Sequence, residues 1–220
     1  MSVPGNIEIR HFLAADRQAV RAIACDTAFL EAGRRNFIDD SELLADALTK
    51  YFTDYEPESC FVAVAEGKVI GYLIGARDVR RMNAVSNVKI FPMLCAKALV
   101  RGAFFKPASA VFFANVIKSF FKGEFSSFDF SNRYPAILHI NIDEDFRSRG
   151  IGSRLIGRYR DYLRAHKVRG VHFGTMSEKA KDFFCANGFV VLYAGTRSYL
   201  RYYLHRESPY YILGEEYGYV

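Results

Sequence analysis

The residues of this chain with the clearest chemical potential lie in one turn, Arg147-Ser148-Arg149-Gly150-Ile151-Gly152-Ser153. The turn follows an apolar stretch and opens an amphipathic one, so it predicts a strand, a short loop and a helix. Two glycines at this spacing let the backbone approach a ligand, and the first amides of a helix favour an anion. Arg147 and Arg149 add charge that suits phosphate. The turn therefore predicts a phosphate-binding site, although ordinary glycine turns before surface helices share the pattern.

The segment from 147 to 152 resembles the acetyl-CoA signature of the GNAT N-acetyltransferase superfamily, Gln/Arg-x-x-Gly-x-Gly/Ala. A second segment resembles the family's Asn-x-x-Ala…Tyr…Gly-Phe motif. Its matching residues are Ser177, Ala180, Phe184, Gly188 and Phe189. The resemblance covers residues 5–78 and 134–204 and leaves out 79–133. It implies a GNAT-like fold, N-acetyltransferase activity and acetyl-CoA as the cofactor.

Carried over residue by residue, the resemblance implies how acetyl-CoA binds. The backbone at Ile140, Asn141 and Ile142 would meet the pantetheine arm and the thioester carbonyl. The pyrophosphate would be held by Arg147, Ser148, Arg149, Gly150, Ile151, Gly152 and Ser153. The far side of the cofactor would be lined by Ser177, Lys181 and Phe184.

Two of these positions depart from the family pattern. Ser177 replaces the usual Asn, so one amide contact becomes a hydroxyl contact at best. Phe184 replaces a Tyr that in many relatives protonates the departing thiolate. Because a thiol has an ordinary pKa of about 8.5, a thiolate is a tolerable leaving group near neutral pH. We therefore expect Phe184 to pack rather than to catalyse.

The implied reaction is direct attack of a neutral amine on the thioester in a ternary complex, with a base that removes the ammonium proton. His139 and Asn141 share one face of the predicted central strand because side chains alternate along a strand. His172 lies on the neighbouring strand, and Glu144 lies in the acidic turn that follows the central one. We therefore predict the base among His139, Glu144 and His172. Each also has a structural interpretation, as a packed histidine or a solvated turn residue.

Hydrophobic periodicity and capping residues predict the elements that position these side chains. The predicted strands are 6–12, 60–65, 68–74, 136–142, 170–175, 189–194 and 198–204. The predicted helices are 16–29, 41–51, 150–166 and 178–186, with two more in the segment that follows residue 78. Together with the resemblance, this order predicts an α/β (α+β) fold, a mixed and mostly antiparallel sheet flanked by helices, in a single domain over 1–220.

Composition excludes several other classes of protein. Half of the 220 residues are hydrophobic and a quarter are charged, so the chain has ample material for a core. The four cysteines are far apart and form no CxxC pair, which argues against a disulfide scaffold and against a zinc site. Free thiols, no secretory signal and no long apolar run predict a cytoplasmic protein.

The positive charge is concentrated in residues 79–123. This segment contains eight of the 30 Lys and Arg residues and none of the 24 acidic ones, so the remaining chain carries 22 basic and 24 acidic residues. Apolar residues at helical spacing predict two helices that separate near Pro107. They are Ile90, Phe91, Leu94, Cys95, Ala98 and Leu99, then Val111, Phe112, Val116, Ile117, Phe120 and Phe121.

This basic helical insertion, within 79–133, has several interpretations. Its apolar faces either pack on the sheet or cover an acceptor pocket, or they meet an acidic partner, a membrane surface or a second copy of the chain as a homodimer. Nucleic acid is not expected, because the rest of the chain is slightly acidic. The competing functions are a catalytically weak acyl-CoA-binding module and a membrane-surface protein. Amino sugar, protein lysine and small amine all remain open as acceptors.

Overall fold

The computed structural model of the protein describes residues 6–28, 40–102, 111, 114–115, 118–119, 121–122, 124, 129–198, 201 and 206–218. Its strands are β1 (Glu8–His11), β2 (Phe61–Ala65), β3 (Lys68–Ala76), β4 (Ala136–Ile142), β5 (Gly170–Thr175), β6 (Val190–Arg197) and β7 (Ser208–Glu216). Its helices are α1 (Arg17–Thr27), α2 (Ser41–Tyr55), α3 (Val79–Val85), α4 (Phe91–Val100), α5 (Ile151–Ala165) and α6 (Glu178–Ala186), with a π-helical turn at Ser86–Ile90.

Seven strands in the described part of the chain form one sheet in the order β1-β2-β3-β4-β5-β7-β6. All neighbours run antiparallel except β4 and β5, which are parallel. The turn between β2 and β3 places Glu66 and Gly67 at φ values of 51° and 77°, the left-handed conformation that a tight hairpin requires. The predicted mixed, mostly antiparallel sheet with flanking helices is confirmed.

The sheet buries a different apolar layer on each face. One layer packs against α5 and α6 and includes Leu73, Leu138, Leu155 and Phe173. The other packs against α1 and includes Val20, Ile23, Tyr72 and Ile74. We call these the α5 face and the α1 face of the sheet. Because side chains alternate along β4, Leu138 points to the α5 face and His139 to the α1 face.

The end of the chain corrects one prediction. The structure confirms β6, but the strand predicted at 198–204 is wrong: Ser198 is not in a strand, Arg201 is helical, and β6 pairs with β7. Residues 199–200 and 202–205 lie outside the described residues. β7 has the aromatic and β-branched composition of a strand in Tyr210, Tyr211 and Ile212, and it lies between β5 and β6 in the sheet.

The described part of the insertion packs on the body of the protein by one face. Ala98 of α4 lies against Leu43 of α2, and Ile90 lies against Tyr51 and Ala76. The same segment carries four large apolar side chains that are well exposed. They are Val88 (74 %), Phe91 (64 %), Leu99 (63 %) and Val100 (87 %).

Ion pairs fix α4 to α2 as well. The Lys97 ammonium lies 2.6 Å from the Asp46 carboxylate, and Arg101 pairs with Asp40. Asp46 also pairs with Arg21 of α1, so one carboxylate joins three helices. Part of the positive charge of the insertion is therefore balanced within the protein. Residues 106, 107, 112, 116, 117 and 120, on which the second predicted helix rests, lie outside the described residues.

None of the described helices is long and apolar enough to span a membrane.

Candidate active site

The central feature of the site is an opening between β4 and β5. These parallel strands pair only at Ala136 with Val171 and at Ile137 with His172. Beyond that point, residues 138–142 of β4 still pair with β3 on their other side, but their β5-facing edge has no strand partner among the described residues. The backbone amides and carbonyls along this edge are therefore placed to hydrogen-bond a ligand that enters the opening.

The glycine turn closes one end of this opening. Ser148 and Gly150 have φ values of 61° and 73°, and Gly150 is the N-cap of α5. A Cβ at Gly150 would meet no atom within 4 Å, so this side of the turn is open. A Cβ at Gly152 would lie 2.8 Å from the Phe183 ring and 3.4 Å from Ile142, so here the helix packs closely. The first backbone N–H groups of α5 face an open cradle.

Two arginines shape the turn from either end. Arg147 Nε donates to the carbonyl oxygen of Ile142 at 3.2 Å, which ties the turn to the open end of β4. Arg149 donates to the carbonyl oxygen of Asp145 at 3.0 Å, and its guanidinium lies 5.1 Å from the centre of the Phe146 ring. Both side chains are exposed. Together with the positive end of the α5 dipole, they make this corner attractive to an anion.

His139 belongs to a hydrogen-bonded group on the α1 face. Asn141 Nδ2 lies 2.9 Å from His139 Nε2 and donates to the Tyr72 hydroxyl at 2.8 Å. With this amide orientation Nε2 accepts, so the ring proton lies on Nδ1. Desolvation by the surrounding protein lowers the pKa of His139 to about 4. His139 is therefore neutral at pH 7, although part of the residue is exposed to solvent.

Tyr72 is a residue of this group to which the sequence analysis assigned no role. It is fully buried, and burial raises the pKa of its phenol. The antiparallel register of β3 and β4 places Tyr72 directly opposite Asn141. The sequences of the two strands do not specify this register, so the contact could not be predicted from them. Its hydroxyl holds the Asn141 amide in position beside His139.

The other two base candidates lie elsewhere. His172 takes part in the last β4–β5 pair, at the closed end of the opening, and its Nδ1 lies 2.6 Å from the carbonyl oxygen of Tyr134. A carbonyl only accepts, so Nδ1 carries a proton; burial lowers the pKa of His172 and outweighs this contact. Glu144 is exposed in a single turn, Glu144–Phe146, between β4 and the glycine turn.

Comparison with known proteins identifies the family. The model of the acetyltransferase (GNAT) family matches residues 26–189. The chain belongs to this family. Among solved structures, the crystal structure of SsHAT is 25 % identical with a TM-score of 0.70, and the match covers 96 % of this chain and 98 % of that one.

Two further structures share the GNAT fold at lower identity. A Drosophila melanogaster polyamine N-acetyltransferase is 13 % identical with a TM-score of 0.57, over 96 % of this chain and 100 % of that one. The acetyltransferase yncA from Salmonella typhimurium, solved with acetyl-CoA, is 14 % identical with a TM-score of 0.55, over 96 % and 93 %. The curated proteins include no match to the sequence.

Acetyl-CoA is the cofactor of the GNAT family, and the residues present fit it. The opening between β4 and β5 offers a strand edge that no described strand pairs with, which suits a chain of amides such as pantetheine. The turn at its end offers a cradle, free of side chains at Gly150, with two exposed arginines. These features suit a ligand that carries a diphosphate at one end of a peptide-like arm.

The second GNAT motif lies across the opening, at the start of α6. The Ser177 hydroxyl is the N-cap of α6 and accepts from the Ala180 amide at 3.3 Å. Lys181 pairs with Glu178 at 2.6 Å, and its ammonium lies 5.0 Å from the centre of the Tyr211 ring. Both side chains therefore already have partners within the protein, and a ligand would have to share them.

Phe184 packs inside the aromatic core of the α5 face. Its ring lies 4.4 Å from that of Phe173 and 5.7 Å from that of Phe189, and it is 6 % exposed. The expectation that Phe184 packs is confirmed. It has no ionisable group, so this GNAT protein has no proton donor at the position where many relatives have a tyrosine.

Proposed function

We propose that this protein transfers the acetyl group of acetyl-CoA to an amine by direct attack in a ternary complex. The observation that carries the proposal is the opening between β4 and β5 with the glycine turn and the first turn of α5 at its end. It combines a free strand edge with an anion cradle, and His139 faces the α1 side of the same opening.

The binding of the donor follows from these groups. Backbone groups of Ile140, Asn141 and Ile142 hydrogen-bond the pantetheine arm, and the turn from Arg147 to Ser153 holds the pyrophosphate. Ser177 and Lys181 complete the site at the start of α6, and Phe184 supports it by packing. When bound, the cofactor supplies an acetyl group as a thioester, whose thiolate is a good leaving group.

His139 is the base that the geometry favours. It lies two residues beyond the last β4–β5 pair, where the strands have separated, whereas His172 lies within that pair. A pKa of about 4 keeps its ring unprotonated at pH 7 and also makes it a weak base. It therefore takes a proton only as the C–N bond forms and the attacking nitrogen becomes acidic.

Asn141 and Tyr72 allow His139 to change its protonation state. In the tautomer described above, the only lone pair of the ring, on Nε2, already accepts from Asn141. For His139 to take the amine proton, the Asn141 amide turns so that its oxygen accepts from Nε2–H, which leaves the lone pair of Nδ1 free for that proton. The Tyr72 hydroxyl can then donate to the same oxygen instead of accepting from the nitrogen. The pair thus stabilises either state of the ring, which defines Asn141 and Tyr72 as positioning residues.

The acceptor is an amine, in keeping with the polyamine N-acetyltransferase and the agmatine N-acetyltransferase among the structural neighbours. The identity of those two enzymes to this chain, 13 % and 14 %, supports the fold and the class of acceptor only. Amino sugar, protein lysine and small amine are the classes to be screened.

The test is thiol release from acetyl-CoA in the presence of agmatine, spermidine, glucosamine, a lysine peptide or a peptide with a free N-terminus. We expect one class to support turnover. His139→Ala should then lower kcat by about 10²–10⁴, while His172→Ala and Glu144→Gln remain within a few-fold. Full activity of all three variants would show that the base is another group. Acetyl-CoA binding without turnover on any amine would favour the binding module.

A second role, docking on an anionic membrane surface, is favoured by one observation. Val88, Phe91, Leu99 and Val100 are exposed on the described part of the insertion, and the exposed Arg81 and Lys89 lie on the same segment. Exposed apolar side chains beside cations are typical of helices that lie in a membrane interface. We propose that this segment holds the enzyme at such a surface, with its acceptor site on the α1 side of the sheet.

A further inference from the structure

The side chain of a tyrosine fills the space beside Gly174, a glycine of β5. A Cβ built on Gly174 would lie 2.6 Å from the Tyr210 hydroxyl oxygen and 3.0 Å from the adjoining ring carbon. Tyr210 is in β7, two positions before Ile212, which pairs with Gly174. The phenol therefore reaches from β7 across β5 and ends over Gly174, a position that any larger residue would block.

The end of this phenol lies at the level of the proposed base. The last β4–β5 pair joins Ile137 to His172, and the residues two positions further along each strand are His139 and Gly174. Gly174 shares the α1 face with His139, because Phe173 and Leu138 belong to the layer on the other face. The Tyr210 hydroxyl and the His139 ring thus stand on opposite sides of the opening, on the same face of the sheet.

The surroundings of Tyr210 suit a polar role. The Arg197 guanidinium carbon lies 4.1 Å from the centre of its ring, and Arg197 is 6 % exposed. A guanidinium over the ring face makes a cation–π contact, which holds the phenol in this orientation. Within the part of the chain that the structure describes, no group hydrogen-bonds to the Tyr210 hydroxyl, which is therefore available to a ligand.

We propose that the Tyr210 hydroxyl is the proton donor to the sulfur that leaves in this reaction, a role that Phe184 cannot fill. The inference rests on the proposed function. As the C–N bond forms and the C–S bond breaks, the electron pair of the C–S bond stays on sulfur and takes the Tyr210 proton, which gives the thiol of coenzyme A and a phenolate. The amine proton passes to His139. Return of one proton from the imidazolium to the phenolate, through solvent, restores both groups.

A purely structural role for Tyr210 must be separated from this one. A tyrosine ring also covers Gly195, where a Cβ would lie 2.6 Å from the Tyr193 hydroxyl oxygen. β6 is two strands away from the opening on the sheet, since β7 lies between it and β5. Tyr193→Phe therefore provides a matched control: it removes a hydroxyl over a sheet glycine and leaves the opening unchanged.

The experiment measures the pKa of the thiol of bound coenzyme A from its thiolate absorbance during a pH titration of the complex. A hydroxyl that donates to the sulfur stabilises the thiolate, so Tyr210→Phe should raise this pKa by about one unit. Gly174→Ala, which keeps the tyrosine but displaces its hydroxyl, should raise it as well. Tyr193→Phe should leave it unchanged, and melting temperatures would show that all three variants fold.

Turnover gives a second readout. Tyr210→Phe should lower kcat at least tenfold at pH 7, with a smaller loss at high pH, where a thiolate leaves without a proton. An unchanged thiol pKa in the folded Tyr210→Phe protein, or an equal shift in Tyr193→Phe, would overturn the proposal. Failure of the wild-type protein to bind coenzyme A would instead contradict the proposed function itself.

Discussion

A charged side chain introduced at position 150 tests the anion cradle directly. Gly150 is the N-cap of α5, has a φ of 73° and faces open space, so a side chain there extends toward the proposed site of the pyrophosphate. We compare Gly150→Asp with Gly150→Asn. Both residues tolerate the left-handed conformation better than other side chains do, and they have nearly the same shape. The two variants therefore carry the same backbone strain and differ in one negative charge.

The expected size of the effect follows from Coulomb's law. A carboxylate about 6 Å from one phosphate charge, in an effective dielectric of about 20, is repelled by about 2.8 kcal/mol. A Debye length of about 8 Å at physiological salt reduces this to about 1.4 kcal/mol, or about a factor of ten in Kd. We therefore expect Gly150→Asp to bind acetyl-CoA about tenfold more weakly than Gly150→Asn. This difference in Kd should be larger at low salt, because the repulsion is then less screened.

Isothermal titration calorimetry of the two folded variants measures the difference, with circular dichroism as the control for folding. Weakening of both variants to the same extent would assign the loss to backbone strain. Equal affinity of Gly150→Asp, Gly150→Asn and the wild-type protein would refute the reasoning, because the phosphates would then lie elsewhere.

Three other predictions concern the core, the ion pairs and the surface. Phe184→Tyr should leave turnover within a few-fold, because the ring packs against Phe173; a tenfold gain in kcat would show that this position reaches the leaving group. Asp46→Asn should lower the free energy of unfolding by about 3 kcal/mol in chemical denaturation, because it leaves Arg21 and Lys97 without their shared carboxylate. Glu207→Gln, in an exposed pair, should change it by less than about 0.5 kcal/mol. Burial alone would raise the pKa of Asp46, but the ion pairs with Lys97 and Arg21 hold this pKa below 3.8. The stabilisation by this carboxylate is therefore present above about pH 4 and is lost in stronger acid. The Asp46→Asn variant lacks the carboxylate and should not show this loss. In flotation assays, anionic liposomes should bind the protein at about 0.05 M salt and release it at about 0.5 M. Phe91→Ser should weaken that binding and Leu13→Ser should not, and no binding at either salt concentration would remove the membrane role.

Local sequence patterns predicted the elements around the site well. The bounds of β4, β5 and α6 follow from short apolar stretches and from Ser177 as an N-cap, and the start of α5 follows from the glycine turn. These features depend on neighbours in sequence, so the sequence displays them directly. The resemblance to the GNAT family added what they could not supply, namely that the backbone at Ile140, Asn141 and Ile142 would meet the pantetheine arm.

Features that depend on distant parts of the chain could not be predicted in the same way. The sequence analysis predicts a strand at 198–204, directly after β6, whereas the strand that pairs with β6 is β7. The basic residues of the insertion suggested an external acidic partner, yet Lys97 meets Asp46, 51 positions away in sequence. The contact of Tyr210 with Gly174 likewise depends on strand register, which no local pattern specifies.

The central claim is that the acetyl group passes directly from acetyl-CoA to an amine in this opening. Mass spectrometry of the protein and of the amine, after a single turnover with stoichiometric acetyl-CoA, tests it most directly. We expect one acetyl group on the amine, none on the protein with acetyl-CoA alone, and at least a hundredfold slower transfer by His139→Ala. An acetylated protein that forms without the amine and then passes its acetyl group on would contradict direct transfer, and an unmodified amine in every case would contradict the function.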